Sequence, residues 1–164
     1  NSWGGSNYNQ ALVDTLAASP AIHICAAGNS SQDSDIQPAY PAAYALPNIV
    51  SVAATDANDQ LGEFSNWGAQ AVDLAAPGVK ILSTVPGGGL GVKSGTSMAA
   101  PFASGIAALI LSANPGMSYS EVKDRMIRTS VPVGGLDDKV RAHGLLNAYN
   151  AMHDGDSSRQ NQTH

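Results

Sequence analysis

A serine two residues after a glycine, at the mouth of an apolar helix, is placed for nucleophilic chemistry. The chain carries one in Gly95-Thr96-Ser97-Met98-Ala99-Ala100-Pro101, followed at once by the apolar run Phe102 to Ala113. There the Ser97 hydroxyl would lie near unpaired backbone N–H groups and the positive end of the helix dipole, which favours charge developing on an attacked carbonyl oxygen. Gly95 leaves open space beside it. Pro101 is expected within the first turn, where a missing N–H costs nothing. An isolated Gly-x-Ser is more often an ordinary helix cap. A serine nucleophile also needs a base, and the four histidines do not supply one: His23 falls inside an expected strand, His143 precedes Gly144, and His153 and His164 lie near the end.

The elements that must position Ser97 follow from periodicity. Ala11, Leu12, Thr15, Leu16 and Ala18 recur at helical spacing until Pro20. The unbroken run Ala21 to Ala27 between Pro20 and Gly28 reads as a strand buried on both faces, and Ile49 to Ala54 as a second. Ala71 to Ala75, closed by Ala76-Pro77-Gly78, is expected as a third strand and Val79 to Val85 as a fourth. The glycine-dense turn Pro86 to Gly91 then leads into Val92-Lys93 and the Ser97 helix. Ser30 to Tyr44 has no period and is expected as a long surface loop. Ser118-x-x-Glu121 is a capping box opening another helix, and Leu145 to Met152 is expected to form the last one. Alternating strands and helices predict a three-layer α/β/α fold with a mainly parallel sheet. In such sheets ligands sit at the carboxyl ends of the strands, so Asn29, after the first strand, and Ser97 share one crevice.

Bulk properties exclude several function classes. The formal charge is −5 without a basic cluster, which argues against nucleic acid and anionic membranes. Pro101, Ser104, Gly105, Ser112 and Asn114 interrupt or end the longest apolar run, so no membrane span is expected. Cys25 is the single cysteine, which leaves no internal disulfide. Asp33, Asp35, Asp56 and Asp59 lack calcium-loop spacing. One folded unit is expected over residues 1–153, with a polar tail over 154–164.

The seven residues from Gly95 to Pro101 together resemble the nucleophile motif of the subtilisin-like serine proteases, the subtilases. The resemblance extends to Asn1 to Gly5, Ala26 to Asn29, Tyr40-Pro41-Ala42 with Ile49 to Ala54, Phe64 to Gly68, Asp73 to Gly78 and Gly144 to Ala148, in that order. It implies a partial subtilisin-like fold, with Ser97 the acylated nucleophile and Asn29 the side-chain donor of an oxyanion hole. It also implies that Ser2, Trp3 and Gly4 face Ala26, Ala27 and Gly28 across the pocket for the residue before the scissile bond. Ala39 stands where many relatives have glycine, at the pocket base, and its methyl is expected to favour medium apolar side chains over large aromatic ones.

Family order is Asp, His, Ser, so the resemblance implies that Asp and His belong to an amino-terminal half, a partner without which this chain is inactive. The substrate is then protein or peptide, secretion or a periplasmic location follows, and no cofactor is required. Structural calcium has a place only in the complete domain, and no metal ligand is expected here. Asp73 matches an acidic position near a weak cation site in relatives, but Ala71 replaces the neighbouring acid, so Asp73 is expected to end a strand. Phe102, where many relatives carry His, is expected to pack in the core. Two other readings compete: a catalytically dead domain that binds peptides, and an α/β-hydrolase using Asp138 and His143, which lacks the second elbow glycine because Ala99 stands there.

Overall fold

The computed structural model describes residues 1–154; the tail expected over 154–164 lies, from residue 155 onward, outside the described residues. Four strands are parallel neighbours: β1 (His23–Ala26), β2 (Ile49–Thr55), β3 (Leu74–Pro77) and β7 (Gly144–Leu145). β6 (Val131–Pro132) pairs antiparallel with β7 and completes the order β1-β2-β3-β7-β6. The period of two is clear in the fully buried β2. Val50, Val52 and Ala54 face one side and join Ile24, Leu74 and Ala76, while Ile49 and Ala53 face the other.

On the first side lies α2 (Thr96–Ala113), which presents Ala99, Ala100, Ala103, Ala107 and Ile110 to the sheet. Alanine at that spacing lets the helix approach closely. α3 (Tyr119–Arg128) and α4 (Ala148–Met152) add Val122, Met126 and Ala151 to the same core. On the other side, α1 (Gln10–Ala18) packs Leu16 against Cys25, Ala42, Tyr44 and Ile49, and Leu136 and Val140 cover Ala53 and Ala75. This is the expected three-layer arrangement. α2 is long and apolar enough to cross a membrane by composition, but its alanine stripe is the inner face of a layered core.

Three expectations are corrected. The third strand starts at Leu74: Val72 is buried as a loop residue whose carbonyl accepts from Arg141 N, and Pro77 is still in register with Thr55. β4 (Ile81–Thr84) and β5 (Leu90–Lys93) leave the parallel sheet and form a separate antiparallel hairpin, because the glycines at 87, 88 and 89 all take positive φ in the turn between them. Gly144-Leu145 is a strand, and the last helix starts only at Ala148, capped by Asn147. The capping box at Ser118 forms as expected, with Glu121 Oε2 accepting from Ser118 N at 2.8 Å. The Ser118 hydroxyl and backbone amide hold the Glu121 carboxyl below its usual range.

Candidate active site

The site assembles where β1, β2 and β3 end. Gly78 follows β3, donates to Thr55 O and accepts from Gly95 N at 2.8 Å. A Cβ on Gly78 would lie 2.5 Å from Ala54 Cβ and 2.8 Å from Gly95 O, so only glycine lets the chain before Ser97 come this close. Gly95 caps α2, Thr96 is its first residue and Ser97 its second. The amide of Ser97 is therefore one of the four that have no acceptor within the helix.

Asn29 approaches from the end of β1, and its orientation is fixed by chemistry. Thr96 N can only donate, and it donates to Asn29 Oδ1 at 2.8 Å; Thr96 Oγ1 donates to the same oxygen at 2.9 Å. Thr96 is completely buried, and its hydroxyl in turn accepts from Gly28 N at 3.2 Å. With Oδ1 committed, Nδ2 turns the other way. It lies 3.6 Å from the point that a Cβ on Gly95 would occupy, and Ser97 N lies at the same distance from that point. Two unpaired N–H donors thus converge on a space that glycine at 95 keeps open, beside the positive end of an 18-residue helix.

A buried amide that sequence reading left without a role holds this loop. Asn66 is 1% exposed. Its Nδ2 donates to Ala27 O, its Oδ1 accepts from Ser30 N and Gln32 N, and its backbone N donates to Gly28 O. Gly28 has φ +114, and a Cβ there would lie 2.4 Å from Asn66 Nδ2. The signal was present in the Phe64 to Gly68 motif, but nothing local shows that an asparagine will reach back 36 residues.

A cleft of about 370 Å³ reaches Asn29 and Ser97 and is lined by Ser2, Trp3, Gly4, Ala26, Gly28 and Ala39. Its walls are tied by an antiparallel bridge, Gly5 N donating to Tyr40 O at 2.9 Å and Tyr40 N to Gly5 O at 2.8 Å. A side chain on Gly4 would meet Tyr40 O at 2.7 Å. Ala27 is the exception among the expected lining residues. Its side chain is buried with Ala53, Val72 and Leu136, because strand alternation at the end of β1 turns it inward. It serves the cleft through its backbone, which Asn66 holds.

Pro101 is the sixth residue of α2, beyond the first turn where it was expected. Phe102 is 45% exposed, so it does not pack in the core. Ser97 Oγ donates to Ser2 O at 3.4 Å, and among the described residues no imidazole approaches it. His23 lines a cleft with Ser104, Ala107 and Leu111, roughly 10–20 Å along α2 from Ser97. His143 Nδ1 contacts Asp137 O and His153 stacks on Tyr149, while His164 lies outside the described residues. The α/β-hydrolase reading fails on these grounds, and also because Ser97 follows a hairpin strand rather than a strand of the parallel sheet.

Asp73 stands just before β3 instead of ending it, and is 4% exposed. Its carboxylate accepts from Ser51 N and from Lys123 Nζ, both at 2.9 Å, with Arg141 Nη1 at 3.5 Å. Lys123 also donates to Ile49 O, so a tethered ammonium fills the position beside this carboxylate. Lys123→Met strips a buried charge of its main partner and is expected to cost about 3 kcal/mol, read as a lower unfolding midpoint. Burial pushes the Cys25 thiol up, which keeps it protonated and unreactive.

Comparison with known proteins accounts for this geometry. Residues 1–157 match the family model described as "Subtilase family". The chain is 36% identical over 162 residues to "Subtilisin-like protease 2" of Plasmodium falciparum, covering 92% of this chain and 12% of that protein. It is 40% identical over 131 residues to "Subtilisin E" of Bacillus subtilis (strain 168), covering 79% and 34%. With "Extracellular basic protease" of Dichelobacter nodosus the identity is 37% over 169 residues, covering 95% and 27%. The chain thus spans about a third or less of the length of each of these relatives. With the family model matched over nearly all of its length, and a mainly parallel sheet converging on a Gly-Thr-Ser helix start, this chain belongs to the subtilase family.

Proposed function

We propose that residues 1–153 form the carboxy-terminal part of a subtilisin-type serine endopeptidase domain, carrying nucleophile and oxyanion hole, and that an amino-terminal half supplies Asp and His. The observation that carries this is the Asn29 amide, locked by Thr96 so that Nδ2 converges with Ser97 N beside the nucleophile. In this mechanism Ser97 Oγ gives its proton to the incoming imidazole and attacks the carbonyl of a peptide lying in the cleft. The tetrahedral oxygen is held by Asn29 Nδ2 and Ser97 N–H. The amine leaves with the proton from the imidazole, and water then releases the acyl group from Ser97. This acyl transfer requires no cofactor.

The surface around Ser97 supports a missing half. Phe102 and Leu109 on the outer face of α2, with Leu82 of the hairpin, border an apolar groove of about 760 Å³ that runs past Met98 and Pro101. A segment lying there would bring its histidine to the open side of Ser97. β1 also retains an open edge, along which, among the described residues, only Asn1 is bonded, its N donating to Ile24 O and its O accepting from Ala26 N at 3.0 Å. The relatives' names point to proteolysis of protein substrates, and one of them is called extracellular, which favours secretion for this chain also.

A fluorophosphonate probe tests the proposal. Labelling of Ser97 is expected only when the amino-terminal half is present. Labelling of the chain alone would show that it holds its own base, and tight peptide binding without labelling in the assembled protein would mark a dead binding domain.

Specificity follows from Ala39, whose Cβ lies 3.6 Å from where a Cβ on Gly28 would stand, across the pocket. Cleavage after Leu is expected to exceed cleavage after Phe, and Ala39→Gly to raise the Phe-to-Leu ratio of kcat/KM about tenfold. Peptides cleaved faster after Phe by the unsubstituted enzyme would contradict this.

A further inference from the structure

The carbonyl of Ser97 has lost its helical partner. In an α-helix it would accept from the N–H four residues on, but that residue is Pro101, which has none. A backbone acceptor left unpaired beside a site that must hold its geometry carries a cost and leaves freedom of movement. Here it is met from elsewhere: Ser2 Oγ donates to Ser97 O at 3.2 Å, across 95 residues. The contact is reciprocal, since Ser97 Oγ donates to Ser2 O, but at 3.4 Å that bond is long. The Ser97 carbonyl is thus held from outside the helix by Ser2 Oγ, while the Ser97 hydroxyl rests on a longer bond that it can leave.

We propose that Ser2 is a positioning residue for acylation: its hydroxyl replaces the N–H that Pro101 lacks and fixes the Ser97 backbone while leaving Ser97 Oγ free to turn to a base. This role rests on the protease reading above, and goes beyond the part of Ser2 as a wall of the substrate cleft.

The test uses the assembled protease, with kcat expressed per site titrated by a fluorophosphonate so that misfolded molecules do not count. Failure of the unsubstituted enzyme to label at Ser97 would defeat the protease reading, and the acylation role of Ser2 with it. Given labelling, Ser2→Ala is expected to lower kcat about three- to tenfold, leave KM within about twofold, and act equally on substrates with Ala or Leu before the scissile bond. Ser2→Thr, which keeps a hydroxyl, restores most of the loss. The decisive background is Pro101→Ala, whose new N–H can reach Ser97 O; there Ser2→Ala is expected to change kcat by less than about 1.5-fold. Equal losses in both backgrounds, or a loss confined to KM or to one substrate side chain, would overturn the proposal and leave Ser2 a pocket wall, with the protease reading intact.

Discussion

Peptide hydrolysis by this chain alone is expected to run about 10⁶-fold more slowly than by the same chain joined to a segment that supplies an Asp–His pair. The magnitude is the one known for loss of the triad's histidine or serine in subtilisin. The physical reason is local. Among the described residues Ser97 Oγ donates only to a backbone carbonyl at 3.4 Å, and a carbonyl cannot take a proton as the oxygen attacks. Two of the chain's imidazoles are engaged elsewhere, His143 Nδ1 with Asp137 O and His153 Nδ1 with Tyr149 O. Single-turnover assays of the chain with and without the complementary segment, on an activated ester and on a peptide, measure the ratio. Comparable peptide turnover by the isolated chain would show that a base within it reaches Ser97, and the proposed division of labour would be wrong.

The second large effect concerns Asn29. Replacing it with Leu, which has similar size and no donor, is expected to lower kcat about 10²- to 10³-fold with little change in KM, the range known for loss of one such donor in subtilisin. KM is spared because the oxyanion forms only in the transition state. A control comes from the same hydrogen-bond network. Asn29→Asp keeps the acceptor for Thr96 N and Oγ1 but puts a negative charge where the oxyanion develops, so it should be at least as slow as Asn29→Leu while folding normally. An Asn29→Leu enzyme with unchanged kcat would remove Asn29 from the site, and the convergence with Ser97 N would then need another purpose.

The sequence was most legible where a local pattern decides the outcome. The capping box at Ser118, the fully buried β2 and the Pro20 stop after α1 each rest on a few adjacent residues. The placement of Ser97 at the mouth of α2 and of Asn29 just after β1 was legible because each follows from a short local motif. What could not be read depends on distant partners. Val72 is as apolar as a strand residue, yet it is buried by Leu136 and Val140 without joining a strand. Two-residue strands such as Val131–Pro132 and Gly144–Leu145 carry no period at all. Ala27 turned inward by one step of alternation, and Asn66 gained its importance only when the chain folded back on it. Pro101 looked harmless in a first turn; the true start at Thr96 placed it where a helical bond is lost.

The unpaired side of β1 and the outer face of α2 also bear on how the protein survives in solution. The outer edge of β1 is covered by Asn1 alone among the described residues, and Phe102, Leu109 and Leu82 border an apolar groove on the outer face of α2. Such an edge recruits other strands and such a surface recruits other copies. Hence the proposed amino-terminal half, if it covers these surfaces, should also keep the chain dispersed, and mutations that loosen its grip should lower soluble yield and turnover together.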